Sequence, residues 1–367
     1  MFENILNPNY WAPVPFHFWS VVFFAFGCIV GSFLNVCIYR MPLDLSVINP
    51  PSHCPKCKYS IPFYLNIPLF TWLMLGGKCK NCGAKISVRY FIVELFTGLT
   101  FMVCWWQFGH AAPALALVYS IFLAGLITAT FIDFEHFIIP DEITLGGAVV
   151  GFLLSLLVPA MHQTTHRGEA AVKSLIGIVF GSGLVYAVLR LGKLLFGREH
   201  IGFPAETKIV FGEGSLHLPD KEIPYEEIFY RNSDTIVVTA RRVELIDRSY
   251  RDVVVRLAPA ELRVGGEKIA PETVPHMECL CTEITLPREA MGLGDVKFMA
   301  AIGAFLGWQG AIFSLMASSL IGAAAGVAMI VLQRREWSSR IPYGPYIALA
   351  AAGWLFGGQA IFHAIFR

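Results

Sequence analysis

The chain has 367 residues, with 28 Lys and Arg against 27 Asp and Glu, a net charge of +1. Hydrophobic residues make up 55% and charged residues 15%, and the mean hydropathy is +0.58. This composition excludes an ordinary soluble protein, and the absence of a basic domain or a Lys/Arg-rich stripe argues against nucleic acid as a partner. A polytopic α-helical membrane protein in a lipid bilayer remains.

A membrane span needs about 20 mostly apolar residues. Met1 to Phe16 carries no Lys or Arg ahead of the first apolar run. A cleaved signal peptide has a positive n-region, so the first span is expected to be retained. Spans are expected near 17–39, 91–109, 112–132, 143–161, 174–195, 296–307, 309–332 and 343–365, eight in all. Val296 to Leu306 is too short to cross alone. A helix beginning near Pro287-Arg288-Glu289 would lengthen it and put Asp295 about two turns inside. The glycines Gly292 and Gly294 equally suit a break in the helix.

Lys and Arg concentrate on the cytoplasmic side of membrane proteins. The segment from Arg40 to Arg89 holds Arg40, Lys56, Lys58, Lys78, Lys80, Lys85 and Arg89 against one acid, Asp44, and Arg334, Arg335 and Arg340 follow the seventh span. The connections near 110 and 308 carry neither Lys nor Arg, and the one near 162–172 has Arg167 alone. Loops 40–90, 133–142, 196–290 and 333–342 are therefore expected in the cytoplasm, with both termini outside. Asp133 and Asp295 then fall at the same membrane face.

The chain divides into a first span (1–39), a cytoplasmic insert (40–90), spans two to five (91–196), a larger insert (197–288) and spans six to eight (289–367). In the first insert, Ile61 to Leu75 is apolar but carries Pro62, Asn66 and Pro68, and reads as the core of a small metal-bound unit. In the second, Thr235-Ile236-Val237-Val238-Thr239 and Val253-Val254-Val255-Arg256-Leu257, with a turn at Gly265-Gly266, predict short strands. A β-rich domain of about 90 residues with no catalytic constellation is expected.

Carboxylates at membrane level are costly and mark function. Asp133 ends an apolar run, and Asp295 sits behind two glycines in Met291-Gly292-Leu293-Gly294-Asp295-Val296-Lys297. Two neighbouring carboxylates resist ionising together and share one proton, which suits peptide hydrolysis without a covalent intermediate. One activates water and the other protonates the carbonyl oxygen. The glycines would let an extended backbone approach, and Pro140 would redirect the chain after Asp133. The bland alternative is that both are helix-end carboxylates at the water interface.

Cys54, Cys57, Cys79 and Cys82 form two CxxC pairs 21 residues apart, close to the zinc-ribbon template. Four thiolates make a closed, structural zinc site, and a reducing cytoplasm argues against stable disulfides. Cys28, Cys37 and Cys104 read as packing residues, and the Cys279–Cys281 C-x-C as two free thiols, with metal binding as the alternative. Asn35, Arg40, Arg89 and Glu94 bracket the insert with polar groups in or beside spans. They suit either a polar pocket or helix packing with an interfacial Arg–Glu pair.

The ordered set of motifs resembles the bacterial type IV prepilin peptidases, the bifunctional leader peptidase/N-methyltransferases of the GxGD aspartic membrane proteases. It runs from Gly31-Ser32-Phe33-Leu34-Asn35-Val36-Cys37-Ile38-Tyr39-Arg40-Met41-Pro42 through the CxxC pairs around Asn66-Ile67-Pro68 and Ile86 to Glu94. It continues with Ile132-Asp133 to Pro140-Asp141, Gly292-Leu293-Gly294-Asp295-Val296-Lys297 and Pro342-Tyr343-Gly344-Pro345. The resemblance implies an eight-span inner-membrane enzyme that cuts the leader from type IV prepilins or pseudopilins on the cytoplasmic side, for pili or type II secretion. It then methylates the new N-terminus with S-adenosylmethionine. Asp133 and Asp295 become the catalytic pair, Asp141 takes a structural role, and the methyl-donor site maps to 31–94, with Asn35, Arg40, Arg89 and Glu94 as candidates. Typical members lack the 197–288 insert or keep it much shorter. It is either a docking or regulatory domain or a tolerated loop. A peptidase without methylation, a cation-coupled transporter using the two aspartates and a non-catalytic assembly factor are the alternatives.

Overall fold

In the computed structural model the described residues are Trp11, 13–196, 198–219, 222–229, 234–287, 292–332 and 342–366. Two compact units emerge: Met1–Tyr186 with Leu293–Arg367, and Ala187–Gly292.

The first unit is a helical bundle. Its helices are α1 (Phe16–Arg40), α2 (Val88–Phe108), α3 (Pro113–His136), α4 (Asp141–Leu157), α5 (Arg167–Phe196), α6 (Leu293–Val331) and α7 (Gly344–Ile365). All but α4 are long and apolar enough to cross a membrane, six among the described residues. Helix α4 has 17 residues, about 26 Å at 1.5 Å per residue. Helix α6 is one track of two arms. Gly307 breaks it with φ 73° and ψ −179°, a conformation that favours glycine. The boundary between the sixth and seventh apolar runs falls at this residue. Helix α7 loosens into a π turn over Trp354–Gly358.

Small residues let the helices approach closely where lipid gives no hydrophobic drive. A Cβ on Gly303 of α6 would lie 2.0 Å from the carbonyl oxygen of Gly177 of α5, so this crossing admits no side chain. Beside it, Ser174 Oγ donates to the Ala304 carbonyl at 3.0 Å. Gly31 and Gly27 of α1 meet α2 in the same way at Glu94 and Gly98.

The 61–75 run does not form a core. It holds a turn of 3-10 helix at Phe63–Leu65 and a five-residue helix at Phe70–Met74. Phe63, Phe70, Leu73 and Met74 are exposed, and Thr71 is buried. An insert of about fifty residues drawn together at a cluster of four cysteines needs little core of its own, which leaves these apolar side chains outward.

The second unit is an eight-stranded antiparallel sheet in the order β3-β2-β1-β8-β4-β5-β6-β7. The strands are β1 (Arg198–Phe211), β2 (Ser215–His217), β3 (Glu222–Pro224), β4 (Ile236–Glu244), β5 (Ser249–Ala258), β6 (Glu261–Val264), β7 (Glu267–Ile269) and β8 (Met277–Pro287). The two predicted strands fall within β4 and β5. Gly265 and Gly266, at φ 60° and 99°, form the tight turn between β6 and β7, as a two-residue hairpin with both central residues at positive φ requires. Ile209, Phe211, Ile236, Val238, Val255 and Ile284 anchor its core. Its first and last strands lie side by side, with Arg198 opposite Pro287. The insert therefore leaves the chain and rejoins it at adjacent points. Cys279 and Cys281 are buried, free thiols on β8. Burial pushes the Cys281 thiol up to about 11 and Cys279 higher still, so both pack as neutral groups.

Candidate active site

Asp133 lies in the last turn of α3 and is buried. The helix ends at His136 because Phe137 turns left-handed at φ 55°, sending its N–H back to the Asp133 carbonyl at 3.0 Å. The chain is thus redirected three residues before Pro140, which leads into α4. Asp133 Oδ2 accepts a 2.9 Å hydrogen bond from the Gly344 N–H, at the first turn of α7. Helix starts carry N–H groups without intrahelical partners, and this one is aimed at the carboxylate. A Cβ on Gly344 would sit 2.7 Å from that oxygen and 3.0 Å from Ile139 Cδ1.

Asp295 is also buried and lies in the first turn of α6. Of the two expectations, a helix begun near Pro287 with Asp295 two turns inside and a break at the glycines, the structure has the second. Pro287 is the last residue of β8, held opposite Arg198, and α6 begins at Leu293. The expected helix-start residues Arg288 and Glu289, together with Met291, lie outside the described residues, as do Arg334, Arg335 and Arg340. The first turn of a helix favours a negative charge, so a helix that begins at Leu293, between the two glycines, gives Asp295 a better electrostatic setting than a helix interior. A Cβ on Gly294 would meet nothing closer than Ile139, at 3.8 Å. Packing does not demand glycine there, which leaves the backbone open to approach.

Ile139 thus lies against both Gly294 and Gly344, and draws together the end of α3, the start of α6 and the start of α7. A second tie joins Asp141 at the start of α4 to Lys297, whose Nζ lies 2.7 and 2.9 Å from the two carboxylate oxygens. Asp133 and Asp295 therefore stand on segments that touch.

The residues of 31–94 divide. Asn35 Nδ2 donates to the carbonyls of Gly31 (3.2 Å) and Tyr90 (3.0 Å), clamping α1 to α2. Arg40 is buried and donates to the carbonyls of Ser46 (2.9 Å) and Pro50 (2.7 Å), so it holds the start of the insert. Arg89 does not pair with Glu94. It forms an ion pair with Glu135, two residues beyond Asp133. Glu94 is buried, and its Oε2 accepts the Leu69 N–H at 2.8 Å. Five residues apart on one helix, Arg89 and Glu94 point to different neighbours. Beside Ser32 and Arg40 lies a cavity of about 450 Å³, whose lining includes Phe33, Ser52, Phe63 and Asn66. Asn35 Oδ1 on α1 and Arg89 Nε on α2 are buried without a hydrogen-bond partner, as are Thr71 Oγ1 and Trp72 Nε1 in the insert. Its walls are mostly aliphatic and proline side chains, with Phe33, Phe63 and the polar Ser32, Arg40, Ser52 and Asn66 among them, and its size is in the range of small-ligand sites.

The four cysteines converge. Their sulfurs all lie within 4.8 Å of one another, with Cys54–Cys82 at 3.8 Å and Cys57–Cys79 at 3.9 Å. Tetrahedral thiolates at about 2.3 Å from zinc stand about 3.8 Å apart, whereas a disulfide is close to 2.05 Å. The donor set fits zinc. The Tyr59 N–H, followed by the Asn81 amide, pulls the Cys57 thiol down to about 6. The N–H groups of Cys82 and Asn81 lower Cys79. These donors favour the thiolates that a metal needs.

Sequence reasoning missed the Gly344 N–H, the Ile139 contact and the Arg89–Glu135 pair. Their signal was present only as the Pro342-Tyr343-Gly344-Pro345 motif and the Glu135 next to Asp133.

Fold and site define a polytopic helical membrane protein with two buried carboxylates on touching helix ends and a four-cysteine insert. Comparison with known proteins agrees. Residues 25–108 match the sequence model of the Bacterial Peptidase A24 N-terminal domain, and 120–204 with 277–327 match the Type IV leader peptidase family. The Type 4 prepilin-like proteins leader peptide-processing enzyme of Escherichia coli is 41% identical over 194 residues, 48% of this chain and 69% of that protein. The prepilin leader peptidase/N-methyltransferase of Aeromonas hydrophila is 28% identical over 367 residues, covering 93% of this chain and 91% of the relative. That of Myxococcus xanthus is 44% identical over 151 residues, 40% of this chain and 42% of the relative. No solved structure matches. The chain belongs to the type IV leader peptidase family. Most of the β-rich insert, residues 205–276, lies outside that family's match.

Proposed function

We propose that this chain is a membrane aspartic endopeptidase that removes the leader peptide from type IV prepilins or pseudopilins and N-methylates the new N-terminus with S-adenosylmethionine. The observation that carries it is the convergence of Asp133 and Asp295 on segments joined through Ile139, Gly294 and Gly344. Asp133 and Asp295 form the catalytic pair. With one proton shared between them, the ionised carboxylate takes a proton from water as it attacks the scissile carbonyl. The protonated carboxyl donates to the carbonyl oxygen. The Gly344 N–H orients Asp133, and the open face at Gly294 leaves room for an extended substrate backbone.

The bundle is read as eight spans, with α4 crossing as a short helix and α6 crossing twice about Gly307. The Lys/Arg bias supports a cytoplasmic active site, both termini outside and residence in the bacterial inner membrane. Cys54, Cys57, Cys79 and Cys82 hold a structural zinc. S-adenosylmethionine supplies an electrophilic methyl group, and the cavity beside Ser32 is its site. Arg40, Asn35 and Arg89 shape that region rather than hold the ligand, since they bond to backbone carbonyls and to Glu135. The β-rich insert is read as a docking domain. Its own core and a cavity of about 580 Å³ containing Phe211, Tyr225, Phe229, Glu213 and Glu272 support this. A transporter reading is not favoured, because both aspartates stand at helix ends.

The test is intact-mass analysis of a prepilin incubated with the purified protein and S-adenosylmethionine. Leader loss plus the mass of one methyl group is expected. Leader loss alone leaves a peptidase and removes the methyl-donor assignment, and an uncut substrate with folded protein overturns the proposal.

A further inference from the structure

The first insert carries an apolar surface that its own packing leaves unused. Phe63 is 88% exposed and Phe70 61%, and Tyr64, Ile67, Leu73 and Met74 are exposed with them. An exposed apolar patch of this kind marks contact with a partner or a membrane, and its depth decides which. Leu69, in the middle of the patch, donates its N–H to Glu94 Oε2 at 2.8 Å. Glu94 stands six residues past the start of α2, about 9 Å along its axis. The 21 residues of α2 span about 32 Å, against a hydrocarbon core of about 30 Å. The helix has no spare turn outside the bilayer, so Glu94 and Leu69 lie beneath the hydrocarbon boundary. Trp72 packs on Phe91, three residues into α2, with ring centroids 5.2 Å apart. Phe63 and Pro68 share a cavity wall with Ile29 and Phe33, two exposed side chains of α1. The 63–74 segment therefore runs beside the spans.

Its backbone suits that depth, where an open polar group finds no water. The N–H groups of Leu65, Asn66, Thr71, Leu73 and Leu75 bond to carbonyls within 62–75. Pro62 and Pro68 have no N–H to satisfy, and the buried Glu94 carboxylate serves that of Leu69. The charges around the patch are of one sign. From Leu45 to Val93 there is no Asp or Glu before Glu94, whereas Lys56 and Lys58 precede the apolar run and Lys78, Lys80 and Lys85 follow it. Lys80 Nζ stands 6.0 Å from the Tyr64 ring centroid, so a cation flanks the patch in space as well. Lysine stems lie along apolar surface while the ammonium reaches headgroup level, and anionic lipid attracts such clusters. We propose that residues 63–74 form a re-entrant segment seated in the bilayer leaflet on the insert's own side. Phe63, Ile67, Phe70, Leu73 and Met74 meet acyl chains, and the flanking lysines meet anionic phospholipid headgroups.

Photo-crosslinking of the full chain tests this. The protein is placed in nanodiscs of equal parts phosphatidylethanolamine and phosphatidylglycerol, with the photoreactive p-benzoylphenylalanine substituted at Phe63 or at Phe70. Phe26, exposed on α1, gives the lipid reference, and Ile246, exposed in the turn between β4 and β5, the reference outside the spans. Intact mass is read after irradiation. A mass increase of one phospholipid is expected at Phe63 and Phe70, as at Phe26, with phosphatidylglycerol over-represented. Absence of a lipid adduct at both positions, with Phe26 labelled, overturns the proposal. A cross-linked dimer through Phe63 or Phe70 also overturns it, because a second copy would then cover the patch. If the Phe70 variant proves unfolded, Phe63, the more exposed position, decides alone. Lys78→Gln combined with Lys80→Gln should remove the phosphatidylglycerol preference and keep the lipid adduct. Equal labelling of the two lipids by the parent protein, or a preference that this variant leaves unchanged, overturns the headgroup contact.

Discussion

Gly344→Ala is the sharpest perturbation available to the peptidase site, because it adds one methyl group against one carboxylate. The new Cβ would lie 2.7 Å from Asp133 Oδ2, 3.2 Å from its Cγ and 3.0 Å from Ile139 Cδ1. Ordinary van der Waals contact begins near 3.4 Å, so the carboxylate must retreat by about 0.7 Å. That retreat stretches or breaks the 2.9 Å bond from the Gly344 N–H. A hydrogen bond to a charged group contributes about 1.5–3 kcal/mol. Its loss at the reacting carboxylate corresponds to a fall in kcat of roughly 10- to 100-fold. Gly344 is not at positive φ, and alanine is the better helix former. The backbone therefore accepts the change, and the loss of thermal stability should be limited to that one hydrogen bond. The assay is a time course of leader removal by mass spectrometry beside a melting curve in detergent. Wild-type cleavage by a folded Gly344→Ala protein would show that the Asp133 position does not depend on this contact, and would refute the reasoning.

The parts of the site that were legible in the sequence are those whose chemistry is local. Asp133 and Asp295 stand out because a carboxylate in an apolar run is anomalous wherever it occurs. The CxxC pairs announce themselves by spacing, and the strands around Val237 and Val254 by alternation. The short run from Val296 to Leu306 already implied a discontinuity, and Gly307 supplies it. What stayed hidden depends on partners distant in the chain. Nothing near Arg89 says that it pairs with Glu135, 46 positions on, rather than with Glu94 one turn away. Nothing near Gly344 says that its N–H reaches a residue 211 positions earlier. The apolar 61–75 run was misread because hydrophobicity signals burial in a soluble unit, whereas this insert leaves Phe63 and Phe70 exposed.

The remaining predictions concern the supports of the site. Freshly purified protein should contain one zinc per chain by elemental analysis, and Cys54→Ser should lose it. Because the Cys57 pKa is lowered to about 6, its thiolate contribution is complete above the unfolded thiol's value of about 8.5 and disappears as pH falls through about 6. Zinc bound to these thiolates competes with protons and holds them ionised below that value, so it should be retained at neutral pH and released only on stronger acidification, and a neutral-pH protein that binds no zinc would contradict the site. Lys297→Met breaks an exposed pair with Asp141, which is worth at most about 1 kcal/mol. The melting temperature should barely move, and a collapse of the fold would mean that the pair carries more than its exposure allows. Because β1 and β8 pair at Arg198 and Pro287, residues 200–285 can be replaced by a short Gly/Ser linker. Cleavage of purified prepilin should persist while processing in cells declines. Equal processing in cells would remove the docking role of the insert.

The central claim is that Asp133 and Asp295 act as one catalytic unit, and single-turnover cleavage of a purified prepilin by Asp133→Asn, Asp295→Asn and the double variant tests it most directly. Each single variant should lose leader removal to background, with the double variant no worse, as expected for groups that act together. Methylation of a pre-cleaved pilin should continue in all three. Substantial cleavage by either single variant would contradict the account.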